Sequence, residues 1–76
     1  MVIKLVSKNL QLAPMIRIMR AAGAQRVSEE SAEALRDALE SIGLKISTEA
    51  IDFMRHAGRK TIKARDIEIA VKKFLE

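Results

Sequence analysis

Near the N-terminus, apolar residues recur at the spacing of a helix face over a short stretch. They are Met15, Ile18, Met19 and Ala22. Pro14 before them suits the first helical position, and Gly23 after them suits the position just past a helix end. The pattern therefore predicts a short helix, and another side of that helix carries Arg17 and Arg20, three residues apart.

The longest periodic stretch begins at Ser28, a good helix N-cap, and two glutamates follow it at the positive end of the helix dipole. No proline or turn dipeptide interrupts the pattern before Gly58, which again suits the position after a helix. The apolar positions are Ala32, Leu35, Leu39, Ile42, Ile46, Phe53 and Ala57. We predict one continuous helix from Ser28 to about His56, roughly 40 Å long.

This predicted helix is longer than a domain of its size should be. A compact chain of 76 residues would be only about 30 Å across, so the helix would extend beyond its own domain. Two short helices of the same chain cannot cover its apolar face along that length, whereas a second copy crossing it would bury both faces at once. Length and pattern thus predict a dimer.

A third, shorter helix is predicted near the C-terminus from the apolar positions Ile67, Ala70, Val71 and Phe74. Asp66 near its start and Lys72 and Lys73 near its end agree with the helix dipole. In the connector 59–63, the β-branches of Thr61 and Ile62 are compatible with a few residues of extended chain. Residues 1–12 are apolar without a clear period, and a strand and a disordered arm both stay open. The prediction is an all-α chain in the order short, long, short.

Composition restricts the chemistry that this chain can perform. It has two Phe, no Trp, no Tyr and no Cys, and a monomer of this size buries only about 60% of the surface that its unfolded chain exposes. A partner is therefore expected. Zero Cys and a single His exclude Cys-based zinc sites and thiol chemistry and leave too few ligands for a His-rich catalytic metal site. We expect neither an enzyme nor a cofactor.

The apolar runs are too short for a membrane-spanning helix, which requires about 20 residues. At the N-terminus, Lys4, Lys8 and Asn9 interrupt the apolar residues, and no small-residue cleavage site follows them. The sequence therefore does not support a secretory signal, and we expect a soluble cytoplasmic protein.

The net charge of +4 is unevenly distributed. Residues 1–28 hold five basic and no acidic residues, residues 29–54 hold two basic and seven acidic, and residues 55–76 hold seven basic and three acidic. Two basic ends around an acidic middle suggest a face that meets a polyanion. Ordinary solvated surface charge is the alternative.

The most specific stretch of the sequence is residues 55–68, in which an Arg-Lys-Thr-Ile-Lys run starts at Arg59 and Asp66 follows three residues after its end. With Ala13-Pro14, Arg17, Ala22-Gly23-Ala24 and Arg26-Val27-Ser28, it resembles the archaeal histones over about residues 12–75. The resemblance implies a histone-fold domain of residues 12–76, after an N-terminal extension of residues 1–11 whose order is uncertain.

The resemblance further implies a handshake dimer in which two long helices cross. The loop before Ser28 of one chain would lie beside the loop 59–63 of the other, and together they would form a curved basic surface for double-stranded DNA. An obligate homodimer is expected, with a paralogous histone as an alternative partner. Tetramers and longer assemblies on DNA are both open.

Site residues follow from the same resemblance. Arg17 and Arg26 are implied to enter or flank the minor groove. The implied phosphate-binding side chains are those of Arg20, Lys60, Thr61 and Lys63, joined by backbone N–H groups near Ser28. No side chain is positioned to read the major groove, so the predicted affinity comes from phosphate neutralisation and DNA bending.

Five further residues are implied to have structural roles in histones. Arg59 and Asp66 form a pair that ties the second loop to the third helix. His56, with Phe53 beside it, meets Asp66 of a neighbouring dimer. A catalytic or metal role for His56 is disfavoured, because no nucleophile, Cys or second His lies near it in sequence. Gly23, besides ending the first helix, would let successive turns of a protein–DNA superhelix approach closely.

The N-terminal segment departs from the minimal histone pattern. Residues 1–11 are more apolar than a typical histone tail, and one hypothesis is that they pack on the dimer or on a neighbouring dimer. A poorly ordered leader is the alternative.

Two other functions fit the sequence less well. A histone-fold subunit that pairs mainly with another protein would not need the basic loop residues. A small basic repressor would need a base-reading element, which the sequence lacks.

Overall fold

The computed structural model describes residues 10–76, and within that range it contains three helices and no strand. They are α1 (Leu12–Ala21), α2 (Glu29–His56) and α3 (Ala64–Leu75). The all-α prediction and the order short, long, short are confirmed. The chain divides into two compact units, Met1–Ser41 and Ile42–Glu76, and α2 runs from the first into the second. Residues 1–9, most of the predicted extension, lie outside the described residues.

Helix α1 begins two residues before Pro14. Its N-cap is Gln11, which has an extended backbone (φ −87°, ψ 160°) and makes no side-chain capping bond. Pro14 is therefore the third helical residue, and the prediction that it occupies the first position was wrong. The first turn has no intrahelical acceptors for its N–H groups, so proline is tolerated there without loss of a hydrogen bond.

Ser28 caps the long helix α2, as the sequence predicts. The Ser31 N–H donates to Ser28 Oγ at 3.1 Å, and the Ser31 hydroxyl donates to the Ser28 carbonyl at 2.7 Å. The helix then continues for 28 residues through Gly43. Of the predicted apolar positions, Ala32 is buried and most others are half-buried, whereas Ala57 is exposed and lies just past the helix.

Helices α1 and α2 end in the same way. The Gly23 N–H donates to the Arg20 carbonyl at 3.0 Å, and the next N–H reaches the carbonyl at position 19. At the end of α2, Gly58 N–H donates to Arg55 at 2.9 Å and Arg59 N–H to Met54 at 3.1 Å. These are paired Schellman bonds, which need a residue with positive φ, here +116° at Gly23 and +73° at Gly58. The predicted end positions of both glycines are confirmed.

Helix α3 begins at Ala64, three residues before the first apolar position that predicted it. Lys63 is the N-cap, with an extended backbone (φ −121°, ψ 164°). Its N–H donates to Asp66 Oδ2 at 2.8 Å. The Lys63 side chain carries only donors, so this bond to Asp66 is the half of the capping box that chemistry permits.

Few large side chains are buried in the part of the chain that the structure describes. The buried apolar residues are Met15, Ala32, Ala50 and Ala70, of which three are alanines. Seven large apolar side chains are exposed instead: Leu10, Ile18, Leu44, Ile62, Ile69, Phe74 and Leu75. Substantial apolar surface is thus left open on both units of the chain.

Replacing Gly58 by alanine should destabilise the fold by about 1 kcal/mol, because a Cβ is unfavourable in the left-handed region. A Cβ there would meet nothing within 4 Å, so the loss would come from the backbone rather than from a clash. Thermal or chemical unfolding at fixed protein concentration measures it. Gly58→Asn is the matched variant and should lose less, since asparagine tolerates this conformation. Equal stability of Gly58→Ala and the parent would contradict the assignment.

Candidate nucleic-acid interface

The residues predicted to contact DNA lie on α1 and in two loops, which we call L1 (residues 22–28) and L2 (residues 57–63). In the first unit, Arg17 and Arg20 project from α1, Arg26 lies in L1 and Ser28 caps α2. All four are exposed. Because residues three apart share a face of a helix, the two α1 guanidinium groups can approach the same ligand.

In the second unit, Lys60 and Thr61 lie in L2 and Lys63 caps α3. All three are exposed. The loop therefore presents two ammonium groups and one hydroxyl within four consecutive residues, at the N-terminal end of α3, where free backbone N–H groups and the helix dipole also favour an anion.

The predicted DNA-contacting cations lack carboxylate partners within the described range. The ion pairs found among residues 10–76 are Arg36–Asp37 at 3.2 Å, Arg59–Asp66 at 2.8 Å and Lys73–Glu49 at 3.2 Å. None involves Arg17, Arg20, Arg26, Lys60 or Lys63. The charge of these five side chains is therefore open to an external anion.

The start of α2 offers a mixed environment to an anion. Ser28 Oγ accepts the Ser31 N–H, which leaves its own hydroxyl proton to donate to a ligand. The first turn also contains Glu29 and Glu30, which stabilise the helix through its dipole and repel a phosphate. Charge attraction at this end of the molecule must therefore come from Arg17, Arg20 and Arg26 rather than from the helix terminus.

The structure brings Arg59 and Asp66 together in a bidentate pair. Arg59 Nη1 donates to Asp66 Oδ2 at 2.9 Å and Nη2 donates to Oδ1 at 2.8 Å. Nη1 also donates to the Thr61 carbonyl at 2.9 Å. Since Lys63 N–H bonds to the same carboxylate, one buried side chain fixes both the middle and the end of L2 and thereby holds Lys60 and Thr61 at the surface.

Hydrogen bonds make Asp66 an unusually strong acid. The bond from Arg59, then the bond from the Lys63 N–H, lower the pKa of Asp66 to about 2, and the same bond to Asp66 raises the pKa of Arg59. The pair is therefore fully ionised at neutral pH, as a bidentate arrangement requires.

The predicted dimer–dimer residues are placed as follows. Phe53 is half-buried and His56 is exposed in the last turn of α2. His56 Nδ1 lies 2.8 Å from the Asp52 carbonyl, and because a carbonyl only accepts, Nδ1 carries the proton and Nε2 is without one in the neutral ring. Asp66 is 2% exposed and already holds Arg59. The contact of His56 with Asp66 of another dimer stays a prediction.

Gly23 is exposed, and a Cβ added there would meet nothing within 4 Å of the same chain. The proposed stacking role of Gly23 in a superhelix also stays a prediction.

Sequence reasoning missed the second bond of Arg59 to the Thr61 carbonyl, the Lys73–Glu49 pair and the burial of Glu40. A signal for Glu40 was present, because it lies eight residues after buried Ala32 and so falls on a neighbouring part of the same helix face. Its acidic character concealed that position in a search for apolar periodicity.

Two other kinds of site are missing from residues 10–76. No group of three or more His, Asp or Glu side chains is placed there to hold a metal ion. No helix described by the structure is both long and apolar enough to cross a bilayer.

A short, a long and a short helix, joined by two loops that carry unpaired cations and an Arg–Asp clamp, define a histone-fold protein. The chain belongs to the family of histone-like transcription factors (CBF/NF-Y) and archaeal histones, whose model matches residues 8–71. Over 64 residues it is 51% identical to the archaeal histone HAN1 of Thermococcus zilligii, covering 84% of this chain and 96% of that protein. It is 44% identical, with the same coverage, to probable archaeal histone 3 of Methanocaldococcus jannaschii. The predicted resemblance to archaeal histones is confirmed.

Asp66→Asn should lower the melting temperature by an amount that depends on pH. Because the pKa of Asp66 falls from 3.8 in the unfolded chain to about 2 in the fold, the stabilisation is fully present above the unfolded value and is lost as pH falls through the folded one. The difference from the parent should be constant above about pH 5 and shrink between about pH 4 and 2. Melting curves across this range measure it.

Asp37→Asn is the matched control, since Asp37 pairs with its neighbour Arg36 through a single contact and is about half exposed. This substitution should change the melting temperature little. A difference between Asp66→Asn and the parent that did not vary with pH would show that the carboxylate charge is not what holds L2.

Proposed function

We propose that this histone-fold protein is a chromatin protein that binds, bends, wraps and compacts double-stranded DNA with little sequence preference. One observation carries the proposal: five exposed cations on α1, L1 and L2 have no carboxylate partner among the described residues. Phosphate neutralisation by such side chains supplies most sequence-independent affinity for DNA. The names of both relatives, which are archaeal histones, agree with this function.

The binding unit in this proposal is a homodimer. The described chain leaves seven large apolar side chains exposed and buries only four apolar residues. A second copy is the simplest cover, because one self-complementary contact buries both apolar surfaces together. In a handshake arrangement, L1 of one protomer would join L2 of its partner, which unites the two groups of cations on one surface.

Different side chains have different roles on this surface. Arg17 and Arg26 enter or flank the minor groove, where the negative potential of a narrowed groove favours arginine. Arg20, Lys60, Lys63 and the Thr61 hydroxyl bind phosphates. The Arg59–Asp66 clamp touches no DNA and holds L2 in place. The protein would act on the chromosome in the cytoplasm.

A histone-fold subunit with a purely protein partner is the competing function, because the matching family also includes histone-like transcription factors. Such a subunit would have no use for unpaired cations in both loops. Further assembly through Phe53, His56 and Asp66, and stacking at Gly23, belong to the DNA-wrapping function and not to the competing one.

Replacing Arg17 and Arg26 together by alanine should weaken binding to unrelated duplexes while leaving the dimer folded. Mobility shift across a salt series measures it. The parent should lose affinity steeply with salt, and the slope of log K against log salt should fall in magnitude by about 0.9 for each phosphate contact removed. Nuclease protection on the same duplexes tests wrapping.

Lys45→Ala with Lys72→Ala is the matched control, since both residues are exposed and the change in net charge is the same. Arg17→Lys with Arg26→Lys separates charge from shape: it should keep the salt slope and lose minor-groove affinity. Equal binding by the double alanine variant, or strong preference of the parent for one duplex, would contradict the proposal.

A further inference from the structure

Glu40 is the one buried glutamate among residues 10–76. It lies on α2 and is 7% exposed. Its Oε2 accepts the backbone N–H of Leu10, thirty residues earlier in the chain. Its Oε1 is buried and has no hydrogen-bond partner among the described residues. None of the ion pairs within the same range includes Glu40.

Such an environment is costly for a carboxylate. An ionised oxygen that has left water without a new donor loses its hydration free energy, and buried carboxylates in folded proteins are therefore paired. One backbone N–H satisfies one of about four acceptor positions. The open Oε1 therefore points to a cationic donor outside residues 10–76 of this chain.

The single bond that Glu40 makes indicates where that donor lies. Leu10 is the first described residue, so Glu40 is in contact with the point at which residues 1–9 join the rest of the chain. Lys8 is two residues from Leu10, and its Cα is therefore at most about 7 Å from the Leu10 Cα. Its flexible four-carbon stem can bring the ammonium group back to the carboxylate.

We propose that Glu40 anchors the N-terminal extension to the long helix, with the Leu10 N–H on Oε2 and the Lys8 ammonium group on Oε1. Residues 1–9 are then held at the protein surface beside α2. Lys8 is neutralised by Glu40 and does not contact DNA phosphates. This role is independent of the DNA-binding surface, since it uses none of that surface's cations.

Two measurements on the full-length protein test the anchor. The first is limited trypsin digestion, in which cleavage after Lys4 is followed by mass spectrometry and normalised to cleavage after Lys60 in the same digest. Glu40→Gln should speed cleavage after Lys4 about tenfold, the factor that corresponds to a hydrogen bond between charged groups. Glu33→Gln, a half-buried glutamate on the same helix, is the matched control and should leave the rate unchanged.

The second measurement is a double-mutant cycle in melting temperature with Glu40→Gln and Lys8→Met. A direct pair makes the double variant lose less than the sum of the single losses, because residues in contact are not additive. Lys4→Met in place of Lys8→Met is the control and should be additive with Glu40→Gln. Unchanged cleavage after Lys4 in Glu40→Gln, or additive losses for Lys8 and Glu40, would overturn the proposal whether or not the variants bind DNA.

Discussion

The apolar face of α2 is the constraint on which the rest of the structure depends. A 28-residue helix gains its stability from the surfaces that cover it rather than from its intrinsic propensity. Within residues 10–76 the buried apolar positions are mostly alanines, while leucine, isoleucine and phenylalanine side chains stay in contact with water. The fold is thus stable only if something else covers these side chains, and the helix length makes a second identical chain the simplest solution.

The polar residues divide into those that build the protein and those left for a ligand, and L2 shows the division most clearly. Arg59 is fully committed, with its guanidinium shared between the Asp66 carboxylate and the Thr61 carbonyl. Its neighbour Lys60 and the capping residue Lys63 have no such partner among the described residues. A rigid loop with free cations loses little conformational entropy on binding, which favours its use as a phosphate-binding surface.

Sequence predicted the architecture well where a single local interaction determines the structure. Ser28 at the start of α2 and Gly58 after its end follow from capping chemistry that depends only on a few neighbouring residues. The start of α3 was placed too late because apolar periodicity begins at Ile67, whereas the helix is initiated by the bond between Asp66 and the Lys63 N–H. Glu40 was missed because its burial depends on Leu10, which is thirty positions away.

The candidate site divides in the same way. The exposure of Arg17 and Lys60 follows from their positions on a helix face and in a loop, and the Arg59–Asp66 pair was implied by its sequence motif. The roles of Arg17 and Arg26 in a minor groove depend on a second protomer and on a bent duplex. These are surfaces that one chain does not contain, so local pattern alone cannot specify them.

Unfolding as a function of protein concentration tests the central claim most directly. Helical signal and molecular mass would be followed together by circular dichroism and sedimentation equilibrium, in a dilution series without DNA. If two copies must cover each other, helix and dimer should disappear together on dilution, and the melting temperature should rise with protein concentration. A folded monomer at high dilution, with a melting temperature independent of concentration, would contradict the account.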